Sequence, residues 1–92
     1  HFTNTERRVQ RINPAVNPPG DAKEDWVIIQ MLANAMGGGW DYKTVADITN
    51  EIARVTPQYG GLRWDNITVN GVQWPTNKNN PDGTRIMHQT QF

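Results

Sequence analysis

Residues 18–37, PPGDAKEDWVIIQMLANAMG, constrain this chain more than any other stretch. Pro18, Pro19 and Gly20 stop whatever precedes them, and the prolines hold the lead-in extended. Asp21 followed three residues later by Glu24 has the spacing of a capping box, in which side-chain oxygens take up the orphan N–H groups of a first helical turn. Acidic residues there also meet the positive end of the helix dipole. Trp26, Ile29, Leu32, Ala33 and Met36 recur at three- and four-residue steps, which sets them on one face. Val27, Ile28 and Met31 widen that face, so the helix is expected to meet neighbours on two sides. Gly37 supplies the left-handed residue that ends it. The spacing predicts a helix over residues 22–36 whose burial organises the fold.

Ninety-two residues make one small domain at most, with a modest core and a large surface. Eight Gly, six Pro and ten Asn imply much loop around that core. Cysteine is absent, which excludes disulfides, thiolate metal sites and a thiol nucleophile. No apolar run approaches the roughly 18 residues that span a bilayer. No basic start leads into an apolar stretch, so no signal peptide is expected, and a start at His1 reads as a cut.

The formal net charge is zero but unevenly spread. Arg7, Arg8 and Arg11 face only Glu6 in the first 17 residues. Residues 21–51 carry six carboxylates against Lys23 and Lys43, and the remainder is basic again. A global nucleic-acid or membrane footprint needs a clear basic excess and is not expected. A local anion contact near the N-terminus is compatible with the pattern.

Val9, Arg11 and their neighbours favour a short strand over residues 6–12, ended by Pro14. Thr44 and Asp47 form a second cap pair before Val45, Ile48, Ile52 and Val55, a single apolar stripe that predicts a helix over 44–55. Glu51 and Arg54 can pair across one of its turns. Pro57, Gly60 and Gly61 end it. Two such helices joined by about seven residues are expected to pack on each other. Beyond Gly61 two readings compete: Asn70-Gly71 is a hairpin signal between residues 67–69 and 72–74, whereas residues 62–67 suit a short helix followed by a lone strand at 72–74. Residues 76–84 are loop, and residues 85–88 could add an edge strand. The fold class expected is a small α+β unit, mainly helical, with two amphipathic helices and a few short strands.

Catalytic constellations are nearly absent. No Ser–His–Asp signature, His-x-x-x-His pair or phosphate loop is present, and Gly37, Gly38 and Gly39 follow a helix, where they stop it instead of cradling phosphate. Trp26, Trp40, Trp64 and Trp74 read as packing residues before stacking platforms. The exception is residues 3–10, TNTERRVQ. In an extended strand, alternation sets Asn4, Glu6 and Arg8 on one side and Thr5, Arg7 and Val9 on the other. Arginine offers forked donors to phosphate or carboxylate, and Asn and Gln can bond a heterocycle. A solvated strand with a Glu6–Arg8 pair explains the same residues more simply.

Residues 2–10 (FTNTERRVQ), 18–26 (PPGDAKEDW), 56–61 (TPQYGG) and 72–75 (VQWP) occur in an order that resembles a segment of the catalytic alpha subunit of molybdopterin-dependent formate dehydrogenases, in the dimethyl-sulfoxide-reductase superfamily. The resemblance runs over essentially the whole chain and favours the short helix and lone strand over the Asn70-Gly71 hairpin. It departs where Trp74-Pro75-Thr76-Asn77 stands for the common Trp-Pro-Cys-Pro, and where Asn80-Pro81-Asp82-Gly83-Thr84 carries an extra residue.

The resemblance implies a fragment of a much longer bacterial or archaeal subunit that oxidises formate to carbon dioxide. There molybdenum or tungsten sits between two molybdopterin guanine dinucleotides. Residues 3–8 are then expected near the cofactor, with Asn4, Arg7 and Arg8 as the cofactor-binding candidates in contact or supporting roles. Catalytic residues and metal ligands are expected elsewhere in the subunit, and the 92-residue piece alone is expected to be inactive and to retain no cofactor. The implied partners are the remainder of the subunit and electron-transfer subunits, with no nucleic acid and no membrane insertion, in a cytoplasmic setting. The competing reading is a free-standing binding module that holds an anionic partner on its basic N-terminal strand.

Overall fold

The computed structural model describes residues 1–88 and 90. Its elements in chain order are strands β1 (Phe2–Thr3) and β2 (Arg8–Gln10), helices α1 (Asp25–Ala35) and α2 (Val45–Val55), a single 3-10 turn (Trp64–Asn66) and strand β3 (Val72–Gln73). The strands form one antiparallel sheet in the order β1-β2-β3, with Thr3 opposite Val9 and Val9 opposite Val72. The small α+β class expected from the sequence is the one found. No helix among the described residues is long and apolar enough to cross a membrane.

The core lies between this sheet and α2, not around α1. Val9 and Leu62 are fully buried, joined by Ile67, Val72 and Ala53, and flanked by Tyr59, Trp64 and Trp74. Val9 is at its centre because β2 is the middle strand: both neighbours cover its backbone, and its side chain points at Val72 and Leu62 across the sheet face.

The strand expected over 6–12 is shorter and is preceded by a turn. The Asn4 side-chain Oδ1 accepts from the backbone N–H of Glu6 and of Arg8, both at 3.0 Å. Arg7 takes the left-handed conformation, φ 65°. The chain therefore reverses between Thr3 and Arg8, and the simple alternation of Asn4, Glu6 and Arg8 against Thr5, Arg7 and Val9 does not hold. An asparagine that bonds the backbone two residues ahead is a turn former, and here that local chemistry overrides the strand pattern.

Helix α1 also departs from expectation. It begins at Asp25 with Glu24 as N-cap and no side-chain cap hydrogen bond, so Asp21 and Glu24 form no capping box; the Glu24 carboxylate instead accepts from the Trp26 indole N–H. Its end is as expected. Gly38 N–H bonds the Ala33 carbonyl at 2.8 Å and Gly37 N–H bonds Asn34 at 3.0 Å, a Schellman closure with Gly37 at φ 87°. The expected burial is missing: no α1 residue is buried. The helix is held to α2 through the intervening segment. Gln30 grips the Tyr42 backbone, its Oε1 accepting from the N–H at 2.7 Å and its Nε2 donating to the carbonyl at 3.1 Å. Asn34 does the same to Trp40. Between the helices a cavity of about 280 Å³ lined by Trp26, Ile29, Trp40 and Ile52 stays open, so the close helix–helix packing expected is not made.

Helix α2 follows its sequence closely. The Thr44 hydroxyl accepts from Asp47 N–H, and the Asp47 carboxylate accepts from Thr44 N–H at 2.8 Å, a complete capping box. Arg54 bonds Glu51 at 2.7 Å. Ala53 and Thr49 are its buried residues, and the Thr49 hydroxyl is satisfied by the Val45 carbonyl one turn back.

The helix expected over 62–67 contracts to the 3-10 turn, because Asn66 spends its side chain on the Arg63 N–H and the Gly61 and Pro81 carbonyls instead of extending the helix. Strand β3 ends one residue short of the predicted 72–74, and residues 67–69 do not pair with it, so the lone-strand reading holds. Residues 85–87 form bends, and no edge strand is made over 85–88. The loop at 76–84 is tied down by its own amides. Asn77 Oδ1 caps Asn79 and Asn80, and Asn80 Nδ2 reaches Gly83 and Thr84.

Candidate functional site

The reversal at residues 4–7 lifts Arg7 and Arg8 to one end of the sheet, beside Gln73 of β3. Residues 84–86 return to the same place, because Gly83 bridges Gln73 and Thr84 N–H bonds the Gln73 carbonyl at 2.8 Å. The result is an open groove of about 830 Å³ lined by Glu6, Arg7, Arg8, Gln73, Arg85 and Ile86. Three guanidinium groups stand around it against one carboxylate. Such a groove favours an anion that can also accept hydrogen bonds.

The three candidate residues divide in role. Asn4 shapes the turn: its side-chain oxygen is committed to two backbone donors. Arg7 is a clamp. Its Nη1 donates to the carbonyls of Trp74 and Thr84, the latter at 3.1 Å, its Nη2 donates to the Arg85 carbonyl at 2.9 Å, and the guanidinium lies 5.9 Å from the Trp74 ring centroid. Arg8 is the least committed: Nη1 bonds the Asn70 carbonyl at 2.8 Å and Nε lies 3.7 Å from the Glu6 carboxylate. That ion pair is the Glu6–Arg8 pair expected from the sequence, but it is exposed and weak. Arg11 leaves the groove altogether, stacking 4.5 Å from the Trp64 ring and donating to its carbonyl.

Gln73 and Arg85 belong to the groove, and sequence reasoning did not single them out. Gln73 Nε2 donates to the Glu6 carbonyl at 3.0 Å, which holds the turn against β3. Nothing local marks Arg85; the contact across the 76–84 loop brings it in. Trp74, which Arg7 covers, has a buried indole N–H with no acceptor among the described residues. Among those residues no three or more His, Asp or Glu side chains gather as metal ligands.

Away from the groove, Tyr42 donates its hydroxyl to Glu51. That bond, with burial and the nearby carboxylate charge, holds the phenol above its ordinary pKa, while the same bond and Arg54 hold Glu51 below the usual carboxylate value. The pair anchors the interhelix segment to α2 and faces no polar groove.

Comparison with known proteins identifies the family. Residues 1–35, which include β1, the turn and β2, match the family described as molybdopterin oxidoreductase. Over 99% of its length the chain is 52% identical to the F420-dependent formate dehydrogenase subunit alpha of Methanocaldococcus jannaschii. It is 44% and 46% identical to the alpha subunits of two F420-dependent formate dehydrogenases of Methanococcus maripaludis, over 99% and 95% of the chain. The chain spans only 13–14% of the length of these relatives. It is a homologue of one segment of formate dehydrogenase alpha subunits, and belongs with the molybdopterin oxidoreductases.

Proposed function

We propose that this chain is a scaffold segment, a single compact unit, of the catalytic subunit of a molybdopterin-dependent formate dehydrogenase, and that its groove faces the cofactor. The intact subunit would oxidise formate to carbon dioxide and pass two electrons to partner subunits. The observation that carries the reading is identity of about half the residues along nearly the whole chain to formate dehydrogenase alpha subunits.

The groove residues fit an anionic, hydrogen-bonding group such as the phosphate-bearing part of a molybdopterin guanine dinucleotide. Arg8 and Arg85 have donors to offer it, and Gln73 has a side-chain oxygen to spare beside them. The Trp74 N–H is one more donor, with no acceptor among the described residues. The bound metal-pterin would supply the two-electron redox chemistry. This chain's residues position: Arg8 neutralises and orients negative charge, Arg7 fixes the strand ends that present Arg8 and Arg85, and Asn4 sets the turn from which Arg8 projects.

The test is made in the full-length subunit. Arg8→Ala is expected to lower the pterin retained after purification, measured by fluorescence of the oxidised, released pterin, and Arg8→Lys to restore part of it. Unchanged pterin content in Arg8→Ala would remove Arg8 from the cofactor site. Formate oxidation with a dye acceptor tests the substrate separately. The 92-residue chain purified alone is expected to contain neither molybdenum nor tungsten by elemental analysis.

A further inference from the structure

Helix α1 is apolar on two opposite faces. Trp26, Val27 and Ala33 turn inward and are partly covered, with Gln30 among them. Ile28, Met31, Leu32, Ala35 and Met36, at steps of three, one, three and one, form a second stripe that is open to water, Leu32 at 61% and Met36 at 80% exposure. A helix that is apolar all round is a buried helix, and contiguous exposed stripes of this kind mark interaction surfaces.

We propose that the outer face of α1 is an interface with another segment of the same polypeptide, an apolar segment flanked by basic side chains. The inference rests on the reading that this chain is part of a catalytic subunit. Relatives devote only 13–14% of their length to the matching stretch, so most of the protein able to cover the helix lies in the same chain. The charge around the stripe selects the occupant's flanks. Asp21, Glu24 and Asp25 crowd its start against Lys23 alone, and the last turn of α1 carries no basic residue. A second copy of this helix, laid antiparallel, would offer no cation to that acidic end, whereas a segment with Lys or Arg beside its apolar residues would.

The experiment reads burial in the full-length subunit containing this sequence. Leu32→Cys, Met36→Cys and, as a control, Val69→Cys (97% exposed in the native residue) are labelled with a maleimide and mapped by mass spectrometry. Leu32→Cys and Met36→Cys are expected to react at least about tenfold more slowly than the control in native buffer, and equally fast in urea. Hydroxyl-radical oxidation of Met31 and Met36 in the unsubstituted protein gives the same reading without a variant, with protection expected until unfolding. Equal labelling of all three positions in native buffer overturns the proposal. So does protection that appears only when partner subunits are added, or that rises with protein concentration, since those outcomes assign the face to another chain or a second copy. Formate turnover is not the readout: a protected face in a subunit inert to formate overturns the substrate assignment alone, and an open face in a formate-oxidising enzyme overturns the interface alone.

Discussion

Arg7 and Trp74 stand 67 residues apart in the chain, yet the Arg7 guanidinium donates to the Trp74 carbonyl and lies 5.9 Å from the centre of its ring. The same fork holds the Thr84 and Arg85 carbonyls, so one side chain ties the N-terminal turn to both strands of chain that form the groove.

Removing that fork should cost more than the backbone strain it relieves. Arg7 sits at φ 65°, where glycine would be more comfortable. Even so, Arg7→Gly is expected to destabilise by about 1–3 kcal/mol, because it strips the donors from part-buried carbonyls. Arg7→Lys should recover little, since one ammonium cannot reproduce a planar fork on three acceptors. Urea denaturation followed by tryptophan fluorescence measures both; an Arg7→Gly midpoint at or above that of the parent would rule out the clamp.

Two glycines in the left-handed region separate crowding from strain. A Cβ on Gly83 (φ 92°) would lie 2.3 Å from the Gln73 carbonyl oxygen, whereas one on Gly20 (φ 55°) would meet nothing within 4 Å. Gly20→Ala should cost only about 1 kcal/mol of backbone strain. Gly83→Ala must also break the close approach that brings Thr84 and Arg85 to the groove, so it is expected to lower the denaturation midpoint several times further. Equal effects would show that the approach of Gly83 to Gln73 is not required.

Thr76 is buried, and its hydroxyl accepts from the Gly61 N–H at 3.2 Å. Thr76→Val keeps the shape but leaves that donor unpaired, an expected loss of about 1–3 kcal/mol. Thr76→Ser keeps the acceptor and should lose only the packing of one methyl, about 1 kcal/mol. The ranking, read from thermal unfolding, is the test; a valine variant as stable as the serine one would discount the hydrogen bond.

Acid should loosen α2 from its N-terminus. The backbone N–H groups of Lys43 and then Thr44 hold Asp47 below its ordinary value of 3.8, and the Tyr42 hydroxyl followed by Arg54 holds Glu51 below 4.5. The unfolded chain therefore takes up these protons first as pH falls. The stabilisation is present in full above the ordinary values and is lost as pH drops through the lowered ones. Tyr42 works in the opposite sense: its phenol is held above 10.0, so its contribution is present below that pH and lost as pH rises through the raised value. Helicity by circular dichroism between pH 5 and pH 2 should decline, and Asp47→Asn should flatten part of that decline. A parallel decline in the variant would clear Asp47 of the effect.

Local chemistry alone determined α2 and the end of α1, because caps and turns are fixed by residues within four or five positions of each other. The Thr44–Asp47 box, the Gly37–Gly38 closure and the left-handed Gly71 are all of that kind. Periodicity predicted the apolar faces of α1 but could not say what would cover them, and none of the described residues buries the outer one. The commitment of Arg7 to three distant carbonyls and the arrival of Arg85 beside Arg8 were decided by tertiary structure only. Each depends on contacts across more than 60 residues or on a side chain choosing the backbone over the solvent, and no pattern in a short window carries that choice.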